Sequence, residues 1–263
     1  MNPPRVIAHR GSSAAHPDNE WAAFNAAAAE GADVIECDVQ ATRDGVLVVR
    51  HDLELGQQLL ADLDFTEVAA HAPDVVVLAD LLAWAARTDI DLLVEVKEPE
   101  ATSAVARMIE ASAWRHRIVV GSFHAPALAA VKASVPEVRT SLMMGTVLAV
   151  ESLVYLATAY GLDGLHLCWE ARASRPHRLL DPAAIDQLRR AGLAITLWHE
   201  EREHELRALV ALGADAICTN TPAALRRIVD AHVASSSASP AGTARAFTNE
   251  HQSKIFNQAV IKN

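Results

Sequence analysis

The chain has 263 residues, 51% of them hydrophobic and 21% charged, with a formal net charge of −10. That is ample apolar material for a core, which excludes a disordered chain, and the length suits one barrel-sized domain. An acidic chain with no stripe of Lys or Arg is a poor partner for nucleic acid, whose binding rests on dense basic charge; an anionic ligand would need a few inward-facing basic side chains or a bound cation.

The amino terminus runs from Met-Asn-Pro-Pro straight into RVIAHRG, without the basic start and apolar stretch of a secretory signal, so a cytoplasmic location is expected. Short β-branched runs then recur at 7, 34–39, 91–97, 117–123, 139–144, 164–168, 194–199 and 216–220. Helical spacing falls between them at 20–30, 78–87, 101–113, 125–134, 149–160, 182–191 and 201–212. Alternating strands and helices predict parallel pairing with crossover helices, and eight units in about 230 residues fit a closed TIM (β/α)8 barrel. The apolar stretch at 147–162 is interrupted by Glu151 and is shorter than the ~20 residues a bilayer span requires, so no stable membrane insertion is expected.

VLVV at 46–49 stands outside this series, because Asp44-Gly45 signals a hairpin and makes the run antiparallel. It is predicted as an excursion after the second strand, above the mouth of the barrel. A two-residue turn would pair Arg43 with Val46 and set Asp38 opposite His51, unless a bulge intervenes. Cys37, Cys168 and Cys218 are far apart in apolar runs and read as buried free thiols. After Val233 the composition turns to small polar residues, so the domain is expected over 1–232, with a disordered tail over 233–263. A homo-oligomer is compatible with this sequence.

The informative polar residues fall at the carboxyl ends of predicted strands, where barrel enzymes assemble their sites. His9-Arg10-Gly11 ends the first. Glu36 and Asp38 lie two apart on the second, Glu95 and Lys97 two apart on the third, so each pair points to one side of its strand. Three inward carboxylates repel one another and lose hydration unless a cation neutralises them. All-oxygen ligation favours one hard divalent ion, Ca2+ or Mg2+, over zinc. Arg10 and Lys97 offer fixed positive charge suited to a phosphate. His9 and His51 titrate near neutrality, as one base and one acid require. Trp198 is either core or a wall against substrate; His166, His199 and His204 read as surface or loop histidines, and Phe123 as core in preference to a lining of the pocket.

With HRG at 9–11, PDNEWAAF at 17–24, GADVIECDVQATRDGVLVVRHD at 31–52, EVK at 95–97, GSFHAPAL at 121–128, Trp198 and GADAICTNTPAAL at 213–225, the chain resembles the glycerophosphodiester phosphodiesterase family. The resemblance implies a PI-PLC-like barrel that binds Ca2+ or Mg2+ and releases sn-glycerol 3-phosphate and an alcohol from small glycerophosphodiesters. It implies His9 and His51 as the acid/base pair, Glu36, Asp38 and Glu95 as metal ligands, and Arg10 and Lys97 as phosphate contacts. Four stretches depart from the family pattern: Asp18-Asn19-Glu20, His199-Glu200-Glu201, Asn220-Thr221, and the segment between His51 and Glu95, which lacks the usual Arg/Thr/Gly-rich lid. Two rival readings stay open here: a lysophospholipid-cleaving phosphodiesterase of the same fold, and a phosphate-ligand binding protein without turnover.

Overall fold

Side chains that alternate along a strand can serve two different neighbours, and the barrel uses both faces of each stave. The computed structural model describes residues 3–146, 148–168 and 173–238. Its strands are β1 (Arg5–His9), β2 (Val34–Ala41), β3 (Leu47–Val49), β4 (Glu54–Leu55), β5 (Gln58–Leu59), β6 (Val76–Val77), β7 (Asp91–Val96), β8 (Ile118–Ser122), β9 (Arg139–Met144), β10 (Gly164–Cys168), β11 (Ala194–Trp198) and β12 (Ala216–Thr219). β1, β2 and β7–β12 pair in parallel as eight staves, and β1 bonds both β2 and β12, which closes the barrel. The helices are α1 (Trp21–Ala29), α2 (Phe65–His71), α3 (Leu78–Thr88), α4 (Thr102–Ala111), α5 (Ala125–Ser134), α6 (Val150–Tyr160), α7 (Pro182–Arg190), α8 (Glu203–Leu212) and α9 (Pro222–Ala238). None is long and apolar enough to cross a membrane.

On β1, β2 and β7 the outward set Val6, Ala8, Ile35, Cys37, Val39, Leu92, Val94 and Val96 joins one large core with the helices. The inward set starts apolar, with Ile7, Val34 and Leu93 in a small interior cluster with Ala216 and Cys218. Nearer the mouth the same faces carry His9, then Glu36 and Asp38, then Glu95. Burying one such Leu or Ile contributes about 1.5–3 kcal/mol. The barrel therefore has an apolar floor and a polar mouth, both drawn from one period-2 pattern.

The opposite, amino-terminal pole is closed by a repeated device. Gly31-Ala32-Asp33, Gly161-Leu162-Asp163 and Gly213-Ala214-Asp215 precede β2, β10 and β12, and in each the aspartate reaches back to the preceding stave. Asp33 accepts the Val6 N–H at 2.7 Å, Asp163 that of Thr140 at 2.8 Å, and Asp215 that of Ile195 at 2.8 Å. Arg226, Lys132 and Arg189 pair with these carboxylates in turn. No internal repeat beyond the strand–helix alternation is expected from the sequence; the Gly-x-Asp triplets are a short one.

Three expectations are corrected. The hairpin pairs Val39 with Val49, Gln40 with Val48 and Ala41 with Leu47, one residue away from the predicted register. The loop has three residues, Arg43-Asp44-Gly45, with Gly45 at φ +84°, and the Val46 N–H bonds the Thr42 hydroxyl at 3.0 Å. Asp38 thus lies across from Arg50, whose N–H it accepts at 2.8 Å, and not from His51. At the carboxyl end, α9 was absent from the predicted helices and continues past Val233 to Ala238, where a tail was expected; it packs on β1 and α8. Residues 239–263 of the expected tail lie outside the described residues. Cys37 and Cys218 are buried free thiols, but Cys168 is only half-buried.

Asp163→Ala removes the acceptor of two Thr140 donors and the partner of Lys132. Leaving a strand N–H unpaired costs about 1–3 kcal/mol. The expected outcome is a lower urea midpoint with an unchanged m-value; an unaltered midpoint would show that the pole staple adds nothing to stability.

Candidate active site

The turn after β1 shows why His-Arg-Gly takes this form. Arg10 and Gly11 both adopt positive φ, +57° and +86°. A Cβ on Gly11 would lie 2.6 Å from the Ala23 carbonyl carbon, so only glycine lets the chain pass this close to α1. The turn aims the Arg10 N–H at Glu36 Oε2 (3.0 Å) and brings its guanidinium 3.0 Å from Asp38 Oδ2 and 2.9 Å from Asp18. Asn19, also left-handed at φ +59°, donates to Asp38 Oδ2 at 2.9 Å and accepts the Asp38 N–H at 3.2 Å. That short polar residue is the kind that tolerates this conformation.

Glu36, Asp38 and Glu95 are buried, and each offers an oxygen within 4.8 Å of the other two. Lys97 reaches between them, 3.2 Å from Asp38 Oδ1 and 3.0 Å from Glu95 Oε1. Burial, with the neighbouring Asp38 and Glu95 charges, pushes Glu36 well above the usual carboxylate range. Burial and the Asp38 charge push Glu95 up to about 7, although Lys97 opposes them. Burial acts upward on Asp38 too, but Lys97 and Arg10 outweigh it and hold that carboxyl below its ordinary value. Glu36 Oε1 is buried with no hydrogen-bond partner among the described residues. Three hard oxygen donors that resist joint ionisation, one of them unsatisfied, fit a divalent cation of the Ca2+ or Mg2+ type.

His9 ends β1 with its Nε2 3.9 Å from Glu36 Oε2 and its Nδ1 2.7 Å from Asn220 Oδ1. Burial, then the Arg10 charge, lower its pKa to about 4. His51 reaches the mouth by a route that the predicted register did not foresee. Gln40 on β2 donates its side-chain amide to the carbonyls of Arg50 at 2.7 Å and Asp52 at 2.9 Å, gripping the chain on both sides of His51. The His51 Nδ1 lies 2.9 Å from Asp52 Oδ1. Two hollows meet at His51 and Asp52: one of about 350 Å3 shared with Arg10, Asn19 and Arg50, and one of about 490 Å3 shared with Glu95, Lys97, Leu53 and Phe123.

The expected site residues His9, Arg10, Glu36, Asp38, His51, Glu95 and Lys97 are thus brought to one end of the barrel, the carboxyl ends of its first three staves. Trp198 ends β11, its ring 5.8 Å from that of His9 and edge-on to Phe123 at 6.0 Å. Phe123 is 44% exposed and lines the larger hollow, so of its two readings the pocket lining holds and the preferred core packing does not. His204 is exposed, as expected of a surface residue. His166 is fully buried inside the barrel, edge-on to Trp198 at 5.6 Å, and is not the surface or loop histidine that was expected, whereas His199 does lie in the loop after β11, its ring stacked on that of His9 at 4.7 Å.

The sequence profile described as the glycerophosphoryl diester phosphodiesterase family matches residues 9–224. The chain belongs to that family. A glycerophosphodiester phosphodiesterase of Caldanaerobacter subterraneus is 26% identical over 249 residues, covering 85% of this chain and 97% of the relative. A lysophospholipase D of Mus musculus is 24% identical over 272 residues, 87% of this chain and 82% of the relative. The structure of an Oleispira antarctica phosphodiesterase, in complex with the product sn-glycerol-3-phosphate, superposes with a TM-score of 0.74 at 21% identity, over 87% of this chain and 97% of that one. The family match runs from the first site histidine, at the end of β1, through the other seven staves, and the enzyme class expected from the motifs is borne out.

Two glycerophosphodiester phosphodiesterase motifs that differ in this chain carry contacts that the sequence reading left without a role. Asn19 holds Asp38, and Glu201 accepts from the Asn220 N–H at 3.1 Å and lies 3.0 Å from His199 Nδ1. Gln40 gives no sequence signal, since a buried glutamine on a strand marks no chemistry by itself.

Burial, with the His9 charge beside it, holds the His166 pKa down to about 3. An unfolded chain takes up this proton near pH 6.5 and the folded one does not, so stability falls as pH drops from about 6.5 toward 3. His166→Phe is expected to flatten that slope in urea unfolding at several pH values; an unchanged slope would refute a buried neutral imidazole.

Proposed function

We propose that this chain is a metal-dependent phosphodiesterase that cleaves small glycerophosphodiesters to sn-glycerol 3-phosphate and an alcohol, with His9 and His51 as its acid/base pair. The observation that carries the reading is the trio Glu36, Asp38 and Glu95, whose oxygens come within 4.8 Å of one another, set among two imidazoles and two fixed cations. The trio would hold one divalent cation, Ca2+ or Mg2+. When bound there, such an ion supplies Lewis acidity toward a phosphoryl oxygen.

Every other part falls to side chains of the chain itself. Arg10 and Lys97 draw the phosphate into the mouth and orient it, the guanidinium through paired N–H donors and the ammonium as a point charge. Asn19 and Asp18 hold Arg10 and Asp38 in place for that contact. One imidazole removes the proton of the attacking hydroxyl, which belongs either to water or to the glycerol itself. The other protonates the departing alkoxide. If a cyclic phosphate forms first, the two exchange roles when water opens it. The hollows on either side of His51 give the two ester arms separate space, and Trp198 closes the mouth beside His9.

A second reading, cleavage of a lysophospholipid, gains from Leu53 and Phe123, both exposed and both lining the larger hollow. Their apolar surface suits an acyl chain.

The test is a panel of glycerophosphodiesters and one lysophospholipid, with and without chelator, glycerol 3-phosphate from the former being read by a coupled dehydrogenase. Chelator-sensitive release from the small diesters is expected. Release from no head group would overturn the reading, and turnover of the lysolipid alone would favour the second. His51→Ala is expected to lower kcat by about 10^2–10^4-fold with the fold retained; a fully active variant would remove His51 from the pair.

A further inference from the structure

Both imidazoles at the mouth are held through Nδ1, but by partners of different charge. His51 has the Asp52 carboxylate at 2.9 Å; His9 has the Asn220 amide oxygen at 2.7 Å, and Asn220 sits one residue beyond the last stave. An amide oxygen can only accept, so the His9 nitrogen facing it must bring the proton. A neutral imidazole has one proton. Its other nitrogen, Nε2, the one 3.9 Å from Glu36, is then left with a lone pair toward the carboxylate trio.

Asn220 is itself fixed from several sides. Its backbone N–H donates to Glu201 Oε1 at 3.1 Å, and the same oxygen lies 3.0 Å from His199 Nδ1, which keeps the His199 ring against the His9 ring at 4.7 Å and 20°. The Ser13 hydroxyl lies 2.8 Å from both Asn220 Oδ1 and the His9 carbonyl, tying the amide to the backbone of the histidine that it faces. A carboxylate in this place would also accept from His9, but it would add a charge to a mouth that already holds Glu36, Asp38, Glu95 and Glu201. A neutral acceptor gives orientation without that repulsion.

We propose that Asn220, supported by Glu201 and Ser13, is the positioning residue of His9: it holds the ring as the Nδ1–H tautomer with Nε2 facing the reacting groups. The assignment rests on His9 acting in the hydrolysis proposed above, and its first readout does not depend on turnover. In the 15N spectrum of histidine-labelled protein, with the His9 signals assigned by their loss in His9→Gln, the neutral ring is expected to show a protonated Nδ1 and a bare Nε2. A wild-type spectrum with the proton on Nε2 would overturn the proposal, whether or not the enzyme hydrolyses any diester tried.

The second readout is kinetic. Asn220→Leu keeps the volume and removes the acceptor, and is expected to lower kcat by about 10–100-fold, with KM altered less than about threefold and both tautomers in the spectrum. Asn220→Asp keeps an acceptor of the same shape and is expected to retain the Nδ1–H signature and most of kcat. Wild-type kcat in Asn220→Leu, or lost turnover in an Asn220→Asp protein that keeps the Nδ1–H signature, would overturn the positioning role. A protein without activity on any substrate, yet with the expected tautomer, would instead count against the hydrolase reading and leave the geometry of His9 intact.

Discussion

Three carboxylates share a space from which water is largely excluded, and much of the upper half of the barrel answers to that single fact. Removing an ion from water costs several kcal/mol even after the protein relaxes. Lys97 and Arg10 return part of that through close ion pairs with Asp38, and Asn19 adds a hydrogen bond. Glu36 stays the least compensated member, with one oxygen unpaired and its acidity suppressed by burial. The left-handed turn at Arg10 and Gly11 follows from the same demand, since it delivers a backbone N–H to Glu36 and a guanidinium to Asp38 within one residue.

The two poles of the barrel solve opposite problems. At the amino-terminal pole each carboxylate is stapled to the neighbouring strand and paired with a basic side chain, so charge there is neutralised in place. At the mouth the acids are gathered instead, and the compensation is incomplete. A closed pole and an undercompensated one are joined by an apolar floor, and the parallel ladder runs up into the mouth, where it pairs His9 with Glu36 and Asp38 with Glu95.

The architecture was legible because its signals are local. Eight β-branched runs separated by helical spacing give the staves, and two-residue steps such as Glu36 to Asp38 place side chains on one face with no knowledge of the rest. What escaped depended on partners distant in sequence or on one-residue detail. Asp44-Gly45 marks a hairpin, yet the Thr42 hydroxyl replaces a backbone acceptor for Val46, lengthens the loop by one residue and shifts the register. His166 could not be told from a surface histidine, because β10 is short and its inward parity shows only once neighbouring staves are in place. The grip of Gln40 on the carbonyls around His51 leaves no compositional trace. α9 was hidden by its serine-rich end, whose hydroxyls at Ser235 and Ser236 bond back to the His232 carbonyl within the helix.

His9 stands on the first stave and Asn220 just past the eighth, 211 residues apart in sequence and in contact across the seam where the cylinder closes. A chain emerging from the ribosome therefore has all eight staves synthesised before the imidazole that was made first can acquire its amide neighbour. Until β1 and β12 pair, the contact between His9 and Asn220 does not exist. On the role proposed for His9, hydrolysis therefore waits on closure of the seam.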